Sequence, residues 1–405
     1  MSAIYSFKGN NSLSRDKLNY DSGQFKNIHY GDIHTKFSIH FRADEEHVPY
    51  VNDGELHSSI RDENYCKVGD VIFADASEDI EDIGKAIEII DTGAIPLLSG
   101  LHTILARPNG IKFAQGFGGY LFLSEIVKKQ IQRESQGTKV LGLSVNRLGK
   151  VLLPYPIEIR EQQKIAACLS SLDTLITAQT QKLDTLKTHK KGLMQQLFPR
   201  AGETTPRLRF AEFQEAGEWE TSFGDAIFSQ ISNKKHNSDL PVLAITQEHG
   251  AIPRDMIDYH VSVTDKSIES YKVVEVGDFI ISLRSFQGGI EFSKYRGICS
   301  PAYVILRLTE AHSQDYFRHY LKTERFIAQM TKNLEGLRDG KMISFKQFSE
   351  LELPIPQPAE QQKIAACLSS LDELITAQAQ KVTALQTHKK GLLQQLFPAQ
   401  AKASA

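Results

Sequence analysis

The chain has 405 residues, of which 41% are hydrophobic and 24% charged, and its formal net charge is −2. This length exceeds what one hydrophobic core usually serves, so two or three domains are expected, and the composition is typical of a soluble globular protein. A net charge near zero excludes binding to nucleic acid through overall positive charge, so any basic surface is local.

The cysteines and the apolar runs indicate the compartment. Cys66, Cys168, Cys299 and Cys367 show no spacing typical of a zinc site, and their number suits a reducing environment. No run of residues is long and apolar enough to span a membrane, and the N-terminal residues lack the apolar segment of a signal peptide. The sequence therefore predicts a cytoplasmic protein with no membrane partner.

Residues 1–152 read as a compact domain of mixed α and β structure. Short strands are expected at 25–29, 70–74, 100–106 and 141–145, where β-type residues are bounded by Gly, Asn and Asp. The spacing of apolar residues predicts an amphipathic helix over 120–135. The segment Leu-Pro-Tyr-Pro at 153–156 imposes an extended stretch that ends the domain.

A long segment follows and occurs twice, at 161–199 and at 360–398, with substitutions at seven positions. A duplication this close is a strong signal of an internal repeat. In the first copy, seam positions recur at alternating steps of four and three residues, which is a heptad pattern; they are Ile165, Leu169, Leu172, Ile176, Gln179, Leu183, Leu186, Lys190, Leu193 and Leu197. The pattern predicts a helix of roughly 37 residues, about 55 Å long, which needs a partner to cover its apolar stripe.

The obvious partner of each long helix is the other copy, in an antiparallel coiled coil related by a pseudo-twofold axis. The residues expected to pair are Leu169, Leu172, Ile176, Gln179 and Leu183 with Leu368, Leu371, Ile375, Gln378 and Val382. Gln179 and Gln378 would meet midway along the pair and fix its register, at a cost in stability. The alternative is that each helix packs only on its own domain.

The second half of the chain repeats the first loosely. Val276-Gly277-Asp278 leads into an apolar run as Val68-Gly69-Asp70 does, a helix is expected over 315–331, and Leu-Pro-Ile-Pro at 353–356 precedes the second long helix. The predicted organisation is a first domain at 1–152, a proline segment and long helix at 153–200, a second domain at 201–352, and a second proline segment, helix and tail at 353–405. The fold class is α+β, with two mixed α/β domains separated by two long helices.

No constellation typical of an enzyme stands out. The sequence lacks the Asn/Asp-Pro-Pro-aromatic tetrad of adenine methyltransferases, and Gly116 to Tyr120 and Gly336 to Met342 depart from the glycine spacing and flanking residues of cofactor and phosphate loops. Cysteine, histidine and carboxylate residues form no metal-ligand pattern. We infer from the sequence that the chain is not a catalyst.

Basic and polar residues do cluster at predicted strand ends of the two domains. Arg suits guanine and Gln suits adenine in the major groove, and basic residues on a helix face suit phosphates. The DNA-contact candidates are Arg284, Gln287, Arg338, Lys341, Lys322, Lys26, His29, Asn146 and Arg147. The alternative for each is an ordinary solvated surface residue.

This arrangement resembles the specificity subunit of type I restriction-modification enzymes. The likeness is carried by the two Pro-x-Pro segments followed by EQQKIAACLSSLD, by the KKGLxQQLFP helix ends, and by the weaker Gly-Asp strand repeat. One departure is that the first domain, starting near Ser6, lacks a clear counterpart of residues 218–225, so its first strand is expected to be shortened or replaced.

The resemblance implies two target recognition domains that each read one half of a bipartite, asymmetric DNA site, with the paired helices setting the gap. It also implies docking of two modification subunits, which bind S-adenosylmethionine and methylate adenine, and of two restriction subunits, which use ATP and Mg²⁺; no cofactor is expected in this chain. The rival interpretations are a coiled-coil scaffold whose globular halves bind other proteins, which would expose aromatic patches, and an enzyme with an unfamiliar site.

Overall fold

The computed structural model describes residues 1–56, 60–110, 113–237, 239–257, 268–309, 312–332 and 343–397. The chain divides into two compact units. Unit 1 comprises Met1–Gln179 and Lys381–Ala405, and unit 2 comprises Thr180–Gln380. Each unit therefore contains one globular domain together with one part of each long helix.

The globular domain of unit 1 is built on a five-stranded sheet in the order β1-β10-β6-β8-β4, in which only the β4–β8 pair is parallel. A four-stranded sheet, β2-β5-β3-β9, and the pair β11-β7 complete the strands that the structure describes there. Their bounds are β1 Tyr5–Lys8, β2 Leu18–Asn19, β3 Lys26–Ile28, β4 His40–Arg42, β5 Tyr50–Val51, β6 Val71–Ala74, β7 Ala76–Ser77, β8 Ala86–Asp91, β9 Leu97–Ser99, β10 Thr103–Pro108 and β11 Leu141–Gly142.

Short helices cover the sheets of unit 1, and a long helix leaves the domain. The bounds are α1 Tyr30–Thr35, α2 Phe117–Leu123, α3 Glu125–Glu134, α4 Val145–Leu148 and the 39-residue α5 Ile159–Leu197, whose last 18 residues belong to unit 2. Two 3₁₀ turns lie at Arg15–Lys17 and Asp62–Asn64.

Unit 2 has a four-stranded antiparallel sheet in the order β13-β20-β17-β18, which repeats the order β1-β10-β6-β8 of unit 1. Three antiparallel pairs accompany it: β12-β21, β14-β15 and β16-β19. Their bounds are β12 Glu220–Phe223, β13 Phe228–Ile231, β14 Leu243–Thr246, β15 Gly250–Pro253, β16 Lys272–Val274, β17 Phe279–Ile281, β18 Glu291–Phe292, β19 Gly297–Cys299, β20 Val304–Leu308 and β21 Glu352–Ile355.

The helices described in unit 2 are α6 Gly224–Ile227, α7 Ser285–Gly288, α8 Gln314–Tyr320, α9 Glu324–Lys332, α10 Phe345–Ser349 and the 39-residue α11 Pro358–Leu396, which ends in unit 1. Pro358 opens α11, where its missing N–H costs no hydrogen bond. Two 3₁₀ turns lie at Ala211–Phe213 and Arg254–Met256.

The predicted elements are largely present, with corrections to two helices and two strands. The helix expected over 120–135 is two helices, because the chain turns at Ser124, and the helix expected over 315–331 is likewise broken between Tyr320 and Glu324. The strand expected over 141–145 ends at Gly142, and Val145 begins a helix instead. The strand expected over 100–106 begins at Thr103, after a tight turn.

The start of the first domain follows the second domain only in part. β1 pairs with β10 as β13 pairs with β20, but the strand β12, which pairs with β21 in unit 2, has no counterpart among the described residues of unit 1. The ammonium group of Met1 donates there to the carbonyl oxygens of Gly149 and Val151.

The core of each unit joins its sheet to parts of both long helices. In unit 1, Ile165, Ala166 and Leu169 of α5 and Phe397 after α11 are buried among the aromatic residues of α2. In unit 2, the hydrophobic core likewise includes Leu197 of α5 and Ile364, Ala365 and Leu368 of α11. Burial of one such Leu or Ile contributes about 1.5–3 kcal/mol, so these contacts fix each globular domain to its helix segments.

Candidate nucleic-acid interface

The loop after β17 in unit 2 presents the candidates Arg284 and Gln287. Both side chains are exposed, and the loop backbone is held by hydrogen bonds from Ser282 N to Ser285 Oγ and from Arg284 N to Ser282 Oγ. Gly289 closes the loop with a φ of +82°, and a Cβ atom there would lie 2.1 Å from the carbonyl oxygen of Leu321. The loop is therefore an ordered platform that offers a guanidinium and an amide to solvent.

Lys322, expected to contact phosphates, lies instead against a buried carboxylate. Its Nζ is 2.5 Å from Glu291 Oε1, and the Glu291 side chain is 3% exposed. Burial lowers the pKa of Lys322 and raises the pKa of Glu291. Because removing Lys322 would leave a buried charge without its partner, this lysine has a structural task in the fold.

Two basic residues on the helices that flank Lys322, one in α8 and one in α9, are also engaged within unit 2. Arg318 lies 3.3 Å from Asp372, and Arg325 donates to the carbonyl oxygens of Pro199 and Glu203. Both side chains therefore contact protein within unit 2, and phosphate binding by this segment stays a prediction.

In unit 1, Lys26 and His29 are likewise held by the protein itself. Lys26 Nζ donates to the carbonyl oxygen of Ala43 at 2.7 Å, and its side chain is 11% exposed. His29 is buried and caps α1 by accepting a hydrogen bond from Gly31 N at 3.1 Å; burial lowers its pKa, which keeps the ring neutral and able to accept. Both side chains are engaged within unit 1 in this structure, and their contact with DNA stays a prediction.

The other candidates differ in accessibility. Asn146 in α4 is exposed, whereas the neighbouring Arg147 donates to the carbonyl oxygen of Glu134 at 3.1 Å. Arg338 and Lys341 lie outside the residues that the structure describes.

A second polar cluster, which the sequence analysis missed, lies at the end of β6 in unit 1. Asp75 directly follows β6, and its Oδ1 is 3.1 Å from Nδ1 of His102, which lies in the turn before β10. Tyr30 packs edgewise against His102, with ring centroids 5.3 Å apart. The signal was available in part, because Asp75 is the first residue after the predicted strand at 70–74, but its partners are distant in sequence.

The two copies of the helix repeat make the same ion pair in both units. In unit 1, Lys389 of α11 donates to Asp173 of α5, and the hydroxyl of Tyr120 in α2 donates to the same carboxylate at 2.7 Å. Burial and the neighbouring Asp173 carboxylate raise the pKa of Tyr120. The ammonium group of Lys389 also lies 5.6 Å from the centre of the Tyr120 ring, within range of a cation–π interaction.

In unit 2, Lys190 of α5 lies 2.5 Å from Asp372 of α11. Here the third partner is basic, since an Arg318 nitrogen lies 3.3 Å from the Asp372 carboxylate. The neighbouring His319 Nε2 lies 3.2 Å from Ser369 Oγ. Burial, together with the charge of Lys190, lowers the pKa of His319 to about 3. The repeated pair is thus fastened to a different group of each globular domain.

A buried glutamine near the start of each helix explains another part of the repeat. Gln162 accepts a hydrogen bond from Ala114 N and donates to the carbonyl oxygen of Pro156. Gln361 makes the matching contacts with Ser313 N and the carbonyl oxygen of Pro356. Each amide ties the proline segment and the globular domain to its helix.

The residues expected to pair along the seam lie on the less exposed stripe of each helix. Leu169, Leu368, Gln378 and Val382 are buried. The others are half-buried: Leu172, Ile176, Gln179, Leu183, Leu371 and Ile375.

Two further properties bear on function. Within the described part of the chain, no group of three or more His, Cys, Asp or Glu side chains is arranged to hold a metal ion. None of the described helices combines the length and the apolar character that a membrane span requires.

Comparison with known proteins identifies the family. The model of the type I restriction modification DNA specificity domain matches residues 42–188 and again 221–386. The putative type I restriction enzyme MjaX specificity subunit of Methanocaldococcus jannaschii is 26% identical over 368 residues, which cover 86% of this chain and 81% of that protein. The MjaVIII specificity subunit of the same organism is 24% identical over 294 residues, 69% of each protein.

Solved structures share the fold. The S subunit of a type I restriction-modification system from M. genitalium aligns with a TM-score of 0.54 and 13% identity, covering 99% of this chain and 95% of that one. A chain from a study of complex assembly and conformational transition in the type I R-M system aligns with a TM-score of 0.52 and 18% identity, covering 85% of each chain. With a family model that matches both halves of the sequence, this chain belongs to the specificity subunits of type I restriction-modification systems.

Proposed function

We propose that this chain reads a bipartite, asymmetric DNA site, with one half-site bound by each globular domain. The observation that carries the proposal is a contrast between the two units. The helix contacts Lys389–Asp173 and Lys190–Asp372 repeat, whereas the residues at corresponding strand ends differ in chemistry, with Asp75 after β6 and Arg284 two residues further on after β17. Two domains that share the same helix contacts but carry different polar residues at their strand ends are suited to binding different DNA sequences.

We further propose that α5 and α11 form an antiparallel coiled coil that sets the distance between the half-sites. Contacts within unit 1 support the direction, because the start of α5 at residues 161–168 lies beside residues 395–396, whereas Asp173 lies beside Lys389. Residue numbers therefore rise along one helix as they fall along the other. A rod of about 55 Å corresponds to roughly one and a half turns of B-DNA.

In this proposal the chain determines which DNA sequence is bound and catalyses no reaction itself. Exposed residues that the two repeats share, such as Lys191 and Lys390 or Gln195 and Gln394, form surfaces on which two modification subunits would dock. S-adenosylmethionine would be bound by those subunits, and ATP and Mg²⁺ by two restriction subunits, all acting on DNA in the cytoplasm. Base contacts would provide specificity, and phosphate contacts, shared with the partner subunits, would provide much of the affinity.

The scaffold alternative has less support. Such a protein would present exposed aromatic patches to its partners, but Phe223 is the one aromatic among the exposed large apolar side chains of the described residues. Isolated exposed apolar residues are normal on a protein surface and need no partner.

The proposal is tested by mapping methylated adenines in cells that express the chain with its modification subunits, and in cells that lack it. The expected result is a methylated motif with two defined halves and a fixed gap. Replacing residues 203–350 with the second domain of another family member is expected to change one half-site only. A change in both halves, or a motif without two halves, would contradict the proposal.

A further inference from the structure

The cluster at the end of β6 in unit 1 is a fixed, accessible constellation of polar side chains. β6 and β10 are antiparallel neighbours, so the residue after β6 and the residue before β10 lie at the same edge of the sheet. Asp75 N donates to the carbonyl oxygen of His102 at 3.0 Å, in addition to the contact between their side chains. The two residues are therefore joined through both backbone and side chain.

The position of His102 carries a conformational cost. Its φ is +55°, and it is the one non-glycine residue with a left-handed backbone among those described. Left-handed backbone is unfavourable for residues other than glycine, and such strain tends to be kept where a side chain must be aimed. The ring points toward Asp75 and Tyr30, so the turn orients it within this cluster.

Helix α1 braces the cluster from the other side. The Tyr30 ring contacts His29, His34 and His102, with centroid distances of 4.7, 6.1 and 5.3 Å. His34 Nε2 lies 2.9 Å from the carbonyl oxygen of Ala76, which links α1 to the chain just beyond Asp75. The Asp75 and His102 side chains nevertheless keep 27% and 51% of their exposure, so they are held in place and still reachable.

The corresponding place in unit 2 has the opposite chemistry. There, the chain leaves β17 through Ser282 and presents Arg284 and Gln287. A guanidinium only donates hydrogen bonds, whereas an ionised aspartate only accepts them. The two strand ends would therefore select different base edges.

We infer that Asp75, positioned by His102, determines one base of the half-site read by unit 1, by accepting a hydrogen bond from an exocyclic amino group in the major groove. Cytosine N4 and adenine N6 carry such groups, and acidic side chains are known to accept from cytosine N4. Asp75 Oδ1 is occupied by His102, which leaves Oδ2 for the base. This inference rests on the proposed function and adds a specific residue to it.

The test uses the full chain in the complex with its modification subunits and compares wild type with Asp75→Asn. The asparagine keeps the shape, and with its Oδ1 still accepting from His102, an amino group that only donates replaces the Oδ2 that accepts from the base. The expected result is relaxation or change at one position of one half-site, with the gap and the other half unchanged. In binding assays with duplexes substituted at that position, discrimination is expected to fall roughly tenfold to a hundredfold.

Matched variants separate the possible outcomes. Glu78→Gln removes an exposed carboxylate three residues further along the chain, just beyond β7, and is expected to leave the motif unchanged. Arg284→Ala is expected to affect the other half-site only. If wild type gives a two-part motif and Asp75→Asn leaves every position and its discrimination unchanged, this inference is overturned while the proposed function stands; if wild type itself gives no two-part motif, the proposed function fails first. A thermal denaturation midpoint equal to wild type confirms that Asp75→Asn is folded.

Discussion

Lys190 Nζ lies 2.5 Å from Asp372 Oδ1, so a lysine near the end of one long helix is paired with an aspartate near the start of the other within a single compact unit. Lys389 and Asp173 make the same pair in unit 1. Because the lysine and the aspartate both occur in each copy of the repeat, one stretch of sequence supplies both sides of the contact.

The first prediction concerns the stability of this pair. Lys190→Met removes the ammonium group and leaves the Asp372 carboxylate, which is 27% exposed, with less compensation. We expect the free energy of unfolding to fall by about 1–3 kcal/mol. Urea denaturation followed by circular dichroism measures the change.

Lys191→Met is the matched control, because Lys191 is the adjacent residue and its ion pair with Glu324 is exposed on both sides. Its effect is expected to stay below about 1 kcal/mol. Equal effects of the two substitutions would show that the partly buried Lys190–Asp372 pair contributes no more to stability than an exposed ion pair.

The second prediction concerns His319, whose pKa is lowered to about 3 by burial. An unfolded chain binds a proton at this residue below its ordinary pKa of 6.5, whereas the folded state does not. The contribution to stability is therefore complete above pH 6.5 and is lost progressively as the pH falls toward 3.

Between pH 7.5 and pH 5, wild type is expected to lose about 2 kcal/mol through this residue. His319→Gln should lose correspondingly less over the same interval, as measured by denaturation midpoints at the two pH values. His189→Gln, at an exposed position on α5, should follow wild type. A His319→Gln profile parallel to wild type would be incompatible with a buried neutral imidazole.

The third prediction has the opposite sign and concerns Glu88 in unit 1. Its carboxylate accepts hydrogen bonds from Gly116 N and Gly119 N at the start of α2, but burial raises its pKa to about 7. The folded state holds this proton more tightly than the unfolded state, so the stabilisation is present below pH 4.5 and is lost as the pH rises through 7.

Glu88→Gln should remove that component, on the order of 2–3 kcal/mol between pH 4.5 and pH 8. Calorimetric unfolding across this range, with Glu45→Gln as an exposed control, measures the slope. No change in slope relative to wild type would mean that Glu88 is ionised throughout.

The fourth prediction concerns the distance between half-sites. Inserting four residues after Gln179 lengthens the helix by about 6 Å, which corresponds to roughly two base pairs. The methylated motif is expected to keep both half-sites and to gain that spacing, as read by sequencing methylated adenines. An insertion of four residues in the loop at 202–205, outside the helix, is the control and should leave the gap unchanged; an unchanged gap in the helix variant would rule out a spacing role.

The long helices could be predicted from the sequence because a heptad pattern is local. Leu169 and Leu368 each lie seven residues from another seam residue of the same helix. The sequence of each helix alone therefore shows that its seam residues lie on one face. The breaks at Ser124 and before Glu324 were missed because the apolar periodicity continues across them, and only the packing of the shorter helices against each sheet reveals the turn.

The roles of individual charged residues could not be predicted in the same way, because they depend on partners that are far away in the sequence. Lys322 sits among basic residues in the sequence, but Glu291, 31 positions away, determines its environment. Lys26 donates to the backbone carbonyl of Ala43. Asp75 is a candidate for contacting a base because it pairs with His102, which is 27 positions away in the sequence. Sequence patterns identify which residues are charged, whereas only the fold shows whether that charge is already satisfied.

The first unit is built from two distant segments of the chain, and this has a consequence for truncated proteins. A fragment ending after residue 200 would retain Leu169 and Asp173 but lose Leu396 and Phe397, which pack in the core of the first unit, and Lys389, which pairs with Asp173. Such a fragment carries its own copy of the repeat, so a second identical fragment could donate the missing residues. Half of this polypeptide is thus expected to be unstable as a monomer and to regain its lost contacts by forming a symmetrical homodimer.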